Sequence, residues 1–137
     1  MGLILDSTVA IAAERRGLPV EDLLAFVRGI AGPADIAISV VTVMELEHGI
    51  WRAKDDTRVH RRRQFLEDLI LSVPVFPVTV ELARRAGRID AEQQERGVCI
   101  ASQDLLIGVS ALELGYAVAT QNLRHFRMIP GLNVLQI

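Results

Sequence analysis

Acidic residues carry the chemistry this sequence offers: Asp6, Asp104 and one of the helical pair Glu45 and Glu47. Asp6 closes the short apolar run Leu3, Ile4, Leu5, which reads as a strand. In open parallel sheets ligand sites gather beyond the carboxyl ends of the strands, which is where Asp6 would stand. Asp is also a good helix N-cap, so this position alone admits both a capping and a chemical role. Asp104 says more, because the helix around it carries Leu105, Leu106, Ile107, Val109, Ala111, Leu112 and Leu114 and is apolar almost all round, as a buried helix is. At about 100° per residue Asp104 shares its arc with Gly108 and Ala111, small residues that leave space above the carboxylate for a ligand. An unpaired carboxylate in a core is costly; a helix N-terminus offsets part of the cost and a bound cation more of it. Glu45 shares a helix with Glu47. The wheel sets Glu47 among Val40, Val43, Met44 and Ile50, and Glu45 near Thr42 and Gly49, and periodicity leaves the choice between the two acids open.

The other reactive side chains point less clearly. Glu45 and His48 form the Glu-x-x-His pair of di-iron bundles, but those sites need a second copy on a facing helix, and the sequence has none. His48, His60 and His125 read as surface or packing histidines. Cys99 is the single cysteine, without partners for a disulfide or a zinc site, which suits a reducing compartment. Arg58, Arg61, Arg62 and Arg63 form the densest cationic run, read either as a solvated helix face or as a surface for an anionic ligand such as a phosphate backbone. Arg84, Arg85 and Arg88 admit the same two readings.

The elements that must position these residues alternate between strand and helix. Strands are expected at Leu3–Leu5, Ile36–Ile38, Val75–Val78, Tyr116–Ala119 and Leu132–Leu135. Helices are expected from Ser7 to about Arg15, from Val20 to Ile30, from a cap at Ser39 or Thr42 to about Lys54, and from Thr57 to about Leu71. Two more run from a cap at Thr79 to about Arg96 and from Ser102 to Leu114, with Gly97 and Gly115 as stops. Strands alternating with longer helices indicate an α/β fold with a mostly parallel sheet and helices on both faces.

The chain has 137 residues, which suits one domain, and 50% of them are hydrophobic, more than a single core of this size needs. Some of the surplus is available for a subunit interface. The net charge of -2 argues against coating nucleic acid through bulk positive charge, and aromatic residues are only 4%, too few for a base-stacking platform. The N-terminus lacks the basic start and long apolar run of a signal peptide, and no segment is apolar for long enough to cross a membrane, so a soluble cytoplasmic protein is expected. No Gly-rich phosphate loop follows any strand, and the acid pair and late lysine of a receiver domain are missing.

Taken together, four stretches resemble the PIN-domain ribonucleases, and in particular the VapC-type toxins of bacterial toxin–antitoxin pairs. They are Leu5 to Thr8; Ser39 to Gly49, with Thr42 and Glu45; Asp104 to Leu112; and Thr120 to Phe126, with Asn122. The resemblance runs nearly end to end and implies a three-layer α/β/α PIN-like fold over residues 1–137. It implies that Asp6, Glu45 and Asp104 bind Mg²⁺ or Mn²⁺ and that the protein hydrolyses RNA phosphodiester bonds, in structured RNAs such as transfer or ribosomal RNA. The fourth position, acidic in many relatives, falls at Asn122, with Thr120 and Ser7 as supporting polar groups; this departure weakens the case for a second tightly held metal. Oxygen-rich sites suit Mg²⁺, a hard ion that keeps several of its waters. The resemblance also implies a homodimer restrained by a VapB-like antitoxin, through which alone the protein would meet DNA. The rival reading is a catalytically degenerate α/β interaction module in which the acids cap helices.

Overall fold

The computed structural model describes all residues, 1–137. In chain order the elements are β1 (Gly2–Leu5), α1 (Ser7–Arg15), α2 (Val20–Ala31), β2 (Asp35–Ser39), α3 (Val40–Trp51), α4 (Asp56–Ser72), β3 (Val75–Phe76), α5 (Val80–Glu95), α6 (Ser102–Leu114), β4 (Ala117–Thr120), α7 (Leu123–Arg127) and β5 (Val134–Gln136). All five strands are parallel, in the order β3-β2-β1-β4-β5. β1 therefore has β2 on one side and β4 on the other, and the strand order reverses there, which opens a crevice at the carboxyl end of β1.

β1, β4 and all of β2 but Asp35 are buried on both faces, and side-chain alternation divides the strands between two cores. Leu3, Leu5, Ile36, Ile38, Ala117 and Ala119 face α1, α2, α4 and part of α3. Ile4, Ala37 and Val118 face the opposite way, against α5, α6 and the segment around Phe126 and Ile129. α3 contributes to both, with Leu46 and Ile50 in the first core and Val41 in the second. That position at the layer boundary puts its polar side chains beside the crevice.

Several boundaries differ from the sequence expectation for identifiable reasons. β3 ends at Phe76 rather than Val78 because Pro77 has no N–H to continue the ladder. β4 extends to Thr120, and β5 begins at Val134 rather than Leu132. α3 stops at Trp51, short of Lys54, and Ser39 is its cap, accepting from the Val41 N–H at 3.1 Å. α7 was not expected at all, since five residues are too few to show a helical period.

The space above Gly108 also has a different occupant from the one expected. It is filled by the protein itself: a Cβ on Gly108 would collide with Ile129 Cδ1 and lie 3.2 Å from Leu132 Cδ2. The small-residue arc of α6 is a seat for the chain that follows α7, not an approach for a ligand. Gly108→Ala would improve helix propensity by about 1 kcal/mol, but Ile129 is 2% exposed and has nowhere to move. Overpacking should prevail, lowering stability by about 1–2 kcal/mol as read from the urea midpoint. An unchanged or higher midpoint would show that the α6–α7 contact yields.

Candidate active site

Asp6 is 2% exposed and occupies the N-cap position of α1, yet its side chain makes no capping hydrogen bond to that helix. Its Oδ2 instead accepts from two hydroxyls, Thr8 Oγ1 at 2.7 Å and Thr120 Oγ1 at 2.8 Å. Each hydroxyl is oriented in turn by a backbone N–H: Gln121 donates to Thr8 Oγ1 at 3.2 Å, and Asn122 to Thr120 Oγ1 at 2.9 Å. The chain leaving β4 is thereby tied to the chain leaving β1. The backbone N–H of Asp6 adds one more link, donating to Ala119 O at 2.9 Å.

Ser7 Oγ lies 3.1 Å from Glu45 Oε2 and 3.5 Å from Asp6 Oδ1. A hydroxyl has one proton, so the shorter contact takes it, and Asp6 Oδ1 keeps no good donor. Glu45 Oε1 is buried with no partner at all. Burial pushes the Glu45 carboxyl above its ordinary pKa; the Ser7 hydrogen bond opposes this, and the charges of Asp6 and Asp104 add to it. Glu47, the alternative on the same helix, is exposed and accepts from Trp51 Nε1 at 3.0 Å. The tertiary structure thus separates the two acids that the helical wheel could not.

Asp104 stands in the first turn of α6, where the helix dipole favours a negative charge. Its Oδ2 is 3.0 Å from His125 Nδ1. Desolvation raises the Asp104 pKa, the hydrogen bond to His125 lowers it, and the charge of Asp6 raises it again. The charge of Asp6 acts on both Glu45 and Asp104, so the three carboxylates lie within electrostatic reach of one another. They do not close into a ready-made cage, since no three acidic, histidine or cysteine side chains stand close enough to enclose an ion. Two hollows flank them: one of about 80 Å³ bordered by Glu45, Glu14 and Arg62, and one of about 160 Å³ bordered by Asp104, His125 and Cys99.

The remaining candidates separate clearly. Asn122 is exposed and uses its backbone rather than its side chain, with its N–H on Thr120 and its carbonyl accepting from the His125 N–H at 3.2 Å. Arg61 and Arg62 reach the buried Glu14 at 3.0 and 3.9 Å, and Arg62 also donates to the Gly49 carbonyl. Arg58 pairs with Asp55 on the surface, and Arg63 is exposed. His125, expected to be a bystander, is the group that meets Asp104. No local signal could have found it: Phe126 and Ile129 before Pro130 show only that this segment touches the core, not that its histidine meets an acid 21 residues away.

Residues 3–131 match the PIN domain family. The chain is 26% identical to Ribonuclease VapC1 of Rickettsia felis over 137 residues, spanning 100% of this chain and 97% of that protein. It is 31% identical over 99 residues to the tRNA(fMet)-specific endonuclease VapC of Salmonella typhimurium, covering 72% of this chain and 73% of that one. Among solved structures, the DNA-bound VapBC of Salmonella typhimurium superposes with a TM-score of 0.81 at 26% identity, over 99% of this chain and 98% of that chain.

The raised pKa of Asp104 has a consequence for stability. A carboxyl whose folded pKa exceeds its unfolded value favours the fold when protonated and costs stability as pH rises through the folded pKa. In the metal-free protein Asp104→Asn should therefore raise the melting temperature at pH 7. The gain should fade as pH drops below the ordinary carboxylate range. A lower melting temperature at pH 7 would contradict this.

Proposed function

Because the chain belongs to the PIN domain family, within its VapC branch, we propose that it is a divalent-metal-dependent endoribonuclease and the toxin half of a toxin–antitoxin pair. The observation that carries this reading is the buried, unpartnered Oε1 of Glu45 beside Asp6 and Asp104, three carboxylates that repel one another in a partly desolvated crevice. A divalent cation is the group that such an arrangement fits, because its charge relieves the repulsion and its oxygen preference matches the donors. An open set of carboxylates suits Mg²⁺ or Mn²⁺ better than a closed cage would, since these ions retain several waters.

Asp6 and Asp104 are assigned as the main ligands, and Glu45 as a further ligand or as the base that orients the attacking water. When bound, the ion supplies a water of lowered pKa and neutralises charge on the phosphoryl group. The protein's own part is to hold the oxygens. Thr8 and Thr120 fix Asp6 Oδ2, which leaves Oδ1 for the crevice, and Ser7 fixes Glu45 Oε2, which leaves Oε1. Asn122, through its backbone hydrogen bond to Thr120, supports this arrangement rather than adding a fourth charge.

The substrate is proposed to be structured RNA such as transfer or ribosomal RNA, a choice supported by the Salmonella relative being a tRNA(fMet)-specific endonuclease. The partner is proposed to be a VapB-like antitoxin, with DNA reached only through it, and the protein itself a cytoplasmic homodimer; no helix is long and apolar enough to cross a membrane. Arg58 and Arg63 are the members of the α4 run proposed to meet RNA phosphates, since Arg61 and Arg62 are held by the buried Glu14 whereas Arg58 pairs only at the surface, with Asp55.

The decisive experiment incubates the purified, antitoxin-free chain with total RNA and Mg²⁺ or Mn²⁺. Discrete cuts are expected that vanish with EDTA and fall by more than ~100-fold in Asp6→Asn and Asp104→Asn, a loss of a few kcal/mol of transition-state stabilisation. Absence of cleavage by a folded, metal-loaded protein would favour the interaction module. Replacing Arg58 and Arg63 with Ala should flatten the salt dependence of RNA binding by up to about two units, one per lost phosphate contact. An unchanged slope would remove these residues from the RNA surface.

A further inference from the structure

α7 is a five-residue helix held at both ends, and the group it delivers is His125. At its start, the Asn122 N–H is bonded to Thr120 Oγ1, the same hydroxyl that donates to Asp6. At its end, Gln93 Nε2 on α5 donates to the Met128 carbonyl at 2.7 Å. Beneath it, Phe126 is 0% exposed, and Ile129 fills the space over Gly108, which only a residue without a side chain leaves open. These four ties converge on one result: the His125 ring lies against Asp104 Oδ2. The ring itself is 52% exposed, so core packing does not account for it.

We propose that His125 is a positioning residue that donates its Nδ1–H to Asp104 Oδ2, holds the carboxylate in one rotamer and leaves Oδ1 free for the divalent cation. This rests on the metal-dependent reading above. A carboxylate on a single free Cβ–Cγ bond can turn through many orientations, and only a partner of fixed position selects one. Asp6 has two threonine hydroxyls for this purpose and Glu45 has Ser7, whereas Asp104 has no hydroxyl and its one hydrogen-bond partner is His125. Each acid then has one oxygen held by the protein and one available. The neutral tautomer that donates from Nδ1 keeps the second ring nitrogen, Nε2, as an acceptor.

The test uses the full, antitoxin-free chain and titrates Mn²⁺ by calorimetry into the wild type, Asp104→Asn, His125→Ala, His125→Asn and His125→Gln. The Asn amide nitrogen is as many bonds from Cβ as Nδ1 is, whereas that of Gln reaches towards Nε2. His125→Ala should weaken Mn²⁺ binding about 10- to 100-fold, as loss of an outer partner of a ligand does elsewhere. His125→Asn should restore most of the affinity and His125→Gln little of it, while the melting temperatures of the metal-free variants stay within about 2 °C of the wild type because the ring is largely solvent-facing. RNA cleavage by the same variants should follow the same order. If wild type binds Mn²⁺, Asp104→Asn does not, and His125→Ala binds as wild type does, the positioning role is overturned and the metal site stands. Equal rescue by Asn and Gln would also overturn it. If neither wild type nor Asp104→Asn binds Mn²⁺, the metal-nuclease reading falls, and this inference with it.

Discussion

A carboxylate buried at the end of a central strand has to be met by donors or a cation, or it is costly to the fold and is driven towards its neutral form. Asp6 meets this constraint with hydroxyls from two distant stretches of chain, Thr8 and Thr120, each oriented by a backbone N–H. The pairing of Leu5 with Ala119 places Thr120 next to Asp6, and a slip of one residue between β1 and β4 would turn the hydroxyl to the other face of the sheet. The alternating apolar side chains and this one buried carboxylate therefore demand the same register, and the exit of the chain from β4 and the start of α7 are tied to Asp6 through Thr8 and Thr120.

What the hydrogen bonds do not do is equally informative. They satisfy one oxygen of Asp6 and one of Glu45 and leave the other of each to the crevice, where burial and mutual repulsion hold the Glu45 and Asp104 carboxyls above their ordinary pKa values. A fold selected only for stability would place amides or apolar groups here. Carboxylates kept together at some cost are the sign of a site prepared for positive charge, and strain of this kind concentrates at functional positions.

The arginines of α4 illustrate a third outcome between solvation and substrate binding. Arg61 and Arg62 clasp Glu14, a residue only 6% exposed on α1, and Arg62 reaches the Gly49 carbonyl of α3 as well. Three helices of one layer are joined at this point, close to the hollow that Glu45 borders. A run of like charges on one helix gave no hint of this, because the partner of Arg61 lies 47 residues away in sequence.

The order of strands and helices, their parallel arrangement and the placing of Asp6 and Asp104 at element ends were legible in the sequence. They follow from local apolar periodicity and from capping and stop residues, which act within a few residues of themselves. The resemblance carried by four short stretches named the family before any coordinates. Local pattern could not choose between Glu45 and Glu47, see that the seat over Gly108 belongs to Ile129, predict a five-residue helix, or bring His125 to Asp104. Those were decided by contacts between segments far apart in the chain, and contacts of that kind exist only once both cores have closed around the sheet.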